Sequence, residues 1–160
     1  MTLNTGDIVA LSAGAGKSPA ALFKAIEDVA VRRVGAGLVT AMRHDEAAST
    51  VERLYSSNPA TYPVGGRKLK RDSDWSQHVL VERRVLVSTG DGDIRKHYTD
   101  HETIFGLGLH SCINIPLVSN GKCIGTLNVL RTQPDWSDDE IATVRALGLA
   151  ALAAVLMVRT

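Results

Sequence analysis

Ser111-Cys112-Ile113-Asn114-Ile115-Pro116-Leu117-Val118, then Ser119-Asn120-Gly121, then Lys122-Cys123-Ile124-Gly125-Thr126-Leu127-Asn128-Val129-Leu130-Arg131 is the stretch that decides the fold. Two runs of β-favouring residues flank an Asn-Gly pair, the dipeptide a tight hairpin turn prefers because both positions take positive φ. The two strands are therefore antiparallel neighbours. Side chains alternate across a strand. Ile113, Ile115 and Leu117 thus share one face with Leu127 and Val129, while Cys112, Asn114, Thr126 and Asn128 share the other.

Outward from the hairpin, Ser137-Asp138-Asp139-Glu140 is a capping box, with Trp136 and Ile141 spaced as a hydrophobic staple, and Val144, Leu147, Leu152 and Val155 continue a helix. At the other end, Ser18-Pro19 starts a helix over residues 19–34 that carries Leu22, Ile26, Val29 and Ala30 and stops at Gly35. Residues 37–44 and 49–57 read as an antiparallel strand pair, 58–73 as a loop, 74 onward as a short helix, 85–88 as a strand and 96–106 as a helix. This order makes an α+β domain with its terminal helices on one sheet face. Residues 1–17 read as a flexible lead and 18–160 as the domain.

Composition narrows the partners. Eighteen Lys and Arg face seventeen Asp and Glu, a net charge of +1, which gives no basic field for nucleic acid or an anionic membrane. The longest apolar run, residues 147–158, is shorter than the roughly 20 residues needed to span a bilayer and reads as a packed helix. Two cysteines and no secretory leader in the first residues suit a cytoplasmic protein. Of two Trp, three Tyr and two Phe, five lie between residues 55 and 105: Tyr55, Tyr62, Trp75, Tyr98 and Phe105. The Gly16-Lys17-Ser18 end of a phosphate loop is present, but its first glycine position holds Leu11, so a nucleotide-hydrolysing reading fails.

Three stretches in order resemble a GAF domain over residues 19–157: the opening helix into Gly37-Leu38-Val39-Thr40-Ala41-Met42, the hairpin, and Trp136-Ser137-Asp138-Asp139-Glu140 with its Ala/Leu helix. The resemblance implies a central antiparallel sheet, dimerisation through the terminal helices, and a small-molecule pocket on the opposite face beneath loops and short helices. The polar face holding Cys112, Asn114, Thr126 and Asn128 would line that pocket; a partly solvated sheet face is the alternative. On a single helix over 96–106, His97, Tyr98, His101, Ile104 and Phe105 fall in one arc, and the resemblance lays that helix over the pocket. Tyr55, Tyr62 and Trp75 supply flat walls, and Arg71 could hold a carboxylate or phosphate.

The family's ligand types differ in motif. The cyclic-nucleotide type carries Asn-Lys followed by Phe-x-x-x-Asp-Glu, and here no Asn precedes a Lys; the bilin type places a Cys beside a His, and no such pair occurs. A metal site from His97, His101, His110 and Cys112 is a second reading, with solvated or singly hydrogen-bonded histidines as its alternative. A third is chemistry like that of free methionine-(R)-sulfoxide reductase, which needs an attacking and a resolving thiol. Cys112 and Cys123 lie mid-strand and, by alternation, on opposite faces. The resulting expectation is a stand-alone, homodimeric, small-molecule-binding regulatory module, with a small enzyme or metal-binding protein on the same fold as the alternative, and with ligand and cofactor unnamed by the residues.

Overall fold

A computed structural model describes residues 2–158. Six strands form one antiparallel sheet: β1 (Leu38–Asp45), β2 (Thr50–Ser56), β3 (Gly65–Leu69), β4 (Leu86–Thr89), β5 (Ser111–Ser119) and β6 (Lys122–Arg131). Their order across the sheet is β3-β2-β1-β6-β5-β4. The β5–β6 turn is the one the Asn-Gly pair demands, with φ of 51° at Asn120 and 74° at Gly121.

Three helices back one face: α1 (Thr5–Ala15), α2 (Pro19–Val34) and α6 (Asp138–Met157). Ile113, Ile115, Leu117, Leu127 and Val129 of the hairpin meet Ile26, Val29 and Ala30 of α2 and Val144, Leu147 and Ala151 of α6 in one buried apolar cluster. Trp136 and Ile141 pack at its edge. Gly148 lets α6 approach β5 closely, because a Cβ there would stand 2.8 Å from the Ile115 Cγ2. Among the described residues, α6 is the one helix long and apolar enough to cross a membrane; here its inner face is buried on the sheet.

The stretch expected as a flexible lead carries α1. Asn4 and Asp7 cap it reciprocally: the Asp7 amide donates to Asn4 Oδ1 at 2.8 Å, and the Asn4 amide donates to Asp7 Oδ2 at 3.0 Å. Burial alone would raise the Asp7 pKa, but the Asn4 amide and the Arg33 and Arg32 guanidiniums outweigh it and hold the carboxyl below its usual value. Arg33 lies 2.8 Å and Arg32 3.3 Å away, so this buried charge ties α1 to α2.

The other face is covered by α3 (Asp74–Ser76), which continues as a wide π turn over Gln77–Val81, by α4 (Gly90–His97) and by α5 (His101–Gly106). Two expectations change here. The 58–73 loop contains the exposed edge strand β3. The single helix over 96–106 is two helices, because Tyr98 is extended at φ −124°, ψ 123°. The extended conformation aims the Tyr98 phenol at the sheet, a tertiary contact that overrides local helix propensity.

Candidate functional site

A cavity of about 150 Å³ lies between the sheet and these coverings. Its floor comes from three adjacent strands. Register pairs Thr40 of β1 with Asn128 of β6 and Asn128 with Asn114 of β5, so alternation lines up three polar side chains across the sheet. They form a one-way ladder of hydrogen bonds. Trp75 Nε1 donates to Asn114 Oδ1 at 3.1 Å, and the Tyr98 hydroxyl donates to the same oxygen. The Asn114 amide then donates to Asn128 Oδ1 at 2.8 Å, and the Asn128 amide gives one hydrogen to Thr40 Oγ1 at 3.1 Å and the other to Thr126 Oγ1 at 3.2 Å. Burial pushes the Tyr98 phenol well above its ordinary pKa, so the hydroxyl stays protonated and keeps its donor role.

Leu38, Met42, Ile104, Cys112 and Leu130 supply the apolar walls, and Arg53, Tyr62 and Asp100 stand among the lining residues. The Tyr62 hydroxyl donates to Asp100 Oδ2 at 2.6 Å while the Arg53 guanidinium sits over the same ring, 5.2 Å from its centroid. An adjoining groove of about 410 Å³ shares Met42, Arg53, Trp75, Tyr98 and Asp100 and adds Lys68, Lys70 and Arg71.

A family model for the GAF domain matches residues 16–155. The chain belongs to the GAF domain family. Solved structures with the same fold include the GAF domain of a phosphoenolpyruvate-protein phosphotransferase from Coxiella burnetii (TM-score 0.73, 14% identity, covering 94% of this chain and 90% of that one). A GAF domain/HD domain protein from Geobacter sulfurreducens matches with TM-score 0.68 at 19% identity over 92% and 97% of the two chains. The GAF domain of a two-component sensor histidine kinase from Bacillus halodurans matches with TM-score 0.63 at 18% identity over 83% and 92%. No curated protein matches the sequence. Membership makes the chain one of a family of small-molecule sensory and regulatory modules.

In this GAF domain the cavity brings together Tyr62, Trp75, Tyr98, Cys112, Asn114 and Asn128 of the residues singled out from sequence. Thr126 lies buried beneath, reached through Asn128. Four others are elsewhere. Tyr55 is on the helix face, stacked on Phe23 with ring centroids 5.5 Å apart and hydrogen-bonded to Glu27. Arg71 lines only the outer groove. His101 and Phe105 do not line the cavity: His101 Nδ1 meets its own turn at the Tyr98 carbonyl, 2.9 Å, and Phe105 lies under Arg95, packed against the apolar cluster behind the cavity wall.

Ile104, from the helical arc expected over the pocket, also lines the cavity; the lining residues not singled out from sequence are Leu38, Thr40, Met42, Arg53, Asp100 and Leu130. Leu38, Thr40 and Met42 follow from alternation along β1 and were within reach of the pattern. Arg53 was hidden by a β-bulge. Ala41 pairs with Tyr55 but Met42 with Arg53, so Leu54 is the extra residue, and Tyr55 and Arg53 point to opposite faces although two residues apart.

A second bulge alters the cysteines. Register slips between Leu117 and Val118, which pair with Gly125 and Cys123, and this turns Cys123 onto the cavity side, against Val79, Leu80 and Leu86. The two thiols are therefore on the same face, not opposite ones. They remain about 20 Å apart, six strand positions along β5, beyond disulfide reach. Burial also pushes the Cys112 thiol up to about 12, so it is protonated at neutral pH and a poor nucleophile.

The histidines diverge: His97 Nδ1 is 2.8 Å from Ser88 Oγ, and His110 Nδ1 is 2.6 Å from Asp91. Burial holds His97 below its ordinary pKa, with Asp93 opposing. Among the described residues no three His, Cys, Asp or Glu side chains gather in a metal-holding group.

Proposed function

We propose that this GAF domain senses a small metabolite in the cavity over β1, β5 and β6, in the cytoplasm, and passes the signal to a partner or a second copy of itself. The observation that carries the reading is the ladder from Trp75 and Tyr98 through Asn114 and Asn128 to Thr40 and Thr126. It fixes six side chains from α3, the α4–α5 turn and three strands around one cavity. A ligand that displaces Trp75 or Tyr98 is thereby felt across the sheet. Cys112, protonated and buried, supports recognition over thiol chemistry at this wall.

Dimerisation through the terminal helices belongs to the same proposal. Val9 of α1, Val31 of α2 and Leu149 and Leu156 of α6 are exposed, Leu149 to 73%, which leaves apolar area on the outer helix layer for a second copy.

Native mass spectrometry of protein purified from its expression host tests both parts. A bound organic molecule on a dimer is the expected result. An empty protein that also shows no thermal shift with a metabolite panel overturns the sensory reading, and a monomer at micromolar concentration overturns the dimer.

A further inference from the structure

The cavity lining holds one cation and one anion, Arg53 and Asp100, and among the described residues neither makes an ion pair with any other residue. Two opposite charges that share a cavity without neutralising each other each keep a charge for a ligand to meet. Arg53 has one firm partner, the Pro63 carbonyl, which accepts from its Nη1 at 3.1 Å; its Nε is buried without a partner. A buried, unpaired guanidinium N–H is costly unless an acceptor arrives, and a carboxylate is the acceptor whose geometry suits the guanidinium edge. Asp100 spends Oδ2 on Tyr62 and has Oδ1 open.

The floor, by contrast, spends most of its hydrogen-bonding groups on itself. Asn114 Oδ1 already accepts two bonds, and both amide hydrogens of Asn128 are given to Thr40 and Thr126. A neutral heterocycle read by asparagine edges would find few groups to read it. Size sets the remaining limit. A cavity of about 150 Å³ takes a benzene-sized molecule, roughly six to ten heavy atoms. Part of its wall is apolar, from Leu38, Ile104 and Leu130.

We propose that the cavity is selective for a small zwitterion with an apolar side chain, the chemistry of a free α-amino acid. The ligand carboxylate lies on Arg53, its ammonium on Asp100, and its side chain between Leu38, Ile104 and Leu130. Tyr62, held between the two charges, sets their spacing. A simple anion such as phosphate is disfavoured inside by Asp100, although Lys68, Lys70 and Arg71 stand in the outer groove. This inference rests on the sensory reading of the same cavity.

The test is calorimetric titration and thermal shift of the whole chain with leucine, methionine and valine, and with three controls: isoamylamine, which lacks the carboxylate, 4-methylpentanoate, which lacks the amine, and inorganic phosphate. At least one amino acid should bind, and each deaminated or decarboxylated analogue should bind about ten- to a hundredfold more weakly. Arg53→Gln should remove the preference for leucine over isoamylamine, and Asp100→Asn the preference for leucine over 4-methylpentanoate. Circular dichroism would confirm that both variants fold, and the analogue series on the unaltered chain decides the matter if either does not. Equal binding of amino acid and analogues, tighter binding of phosphate, or full selectivity in both variants overturns the proposal. Failure of every amino acid, with another molecule found bound by native mass spectrometry, overturns it and leaves the sensory reading standing; failure with an empty protein that also shows no thermal shift with the metabolite panel overturns both.

Discussion

The helix face of the sheet buries Ile113, Ile115, Leu117, Leu127 and Val129 with no polar partner, whereas the cavity face of the same strands buries Thr40, Asn114, Thr126 and Asn128, joined to one another. The two faces are held by different physics. A fully buried aliphatic side chain contributes about 1.5–3 kcal/mol, and the sum on the helix face is set by area. A buried hydrogen bond returns only about 0.5–1.5 kcal/mol net, but its geometry is strict and an orphaned partner is expensive. One face supplies stability and the other supplies a fixed shape on which a ligand can act.

Substitutions can break this contrast. Leu127→Ala, at the centre of the dry face, should cost about 2–5 kcal/mol in urea unfolding. On the cavity face Asn128→Leu strands the Asn114 amide and should cost about 1–3 kcal/mol. If the two losses were equal, the division of labour between the faces would be wrong.

Acid tests the helix layer in a smaller way. Because the Asp7 pKa is lower in the folded chain than in the unfolded one, its contribution is fully present above the unfolded value and is lost as pH falls below about 4. Asp7→Asn should lower stability at pH 7 by less than the Asn128 change and flatten the acid limb of a stability-against-pH curve. Trp75→Phe should have the smallest effect, about 0.5–1.5 kcal/mol for one lost bond to Asn114, while altering ligand affinity as measured by calorimetry.

The helix face was legible in the sequence because two simple rules govern it. Period-2 alternation sorted the hairpin, and the Ser18 and Ser137 caps marked where α2 and α6 begin. The cavity face was only half legible. Asn114, Asn128 and Cys112 follow from alternation, but Arg53 and Cys123 each lie across a bulge whose one extra residue reverses the alternation between its two sides. Tyr98 breaks a helix for a contact sixteen residues away at Asn114, which no local pattern encodes. For α1 the Asn4 and Asp7 box was a readable signal, masked by the Gly-Ala-Gly run that follows, and β3 begins on Gly65-Gly66, which gives no strand pattern.

The ladder also has a spectroscopic consequence. Both side-chain hydrogens of Asn128, and one of Asn114, are bonded on a buried sheet face. Transferred to deuterated solvent, these side-chain amide groups should keep their proton signals long after exposed asparagines have lost theirs, because exchange requires the sheet face to open. Their decay would time the opening of the cavity floor one rung at a time, in the resting protein and without any added molecule.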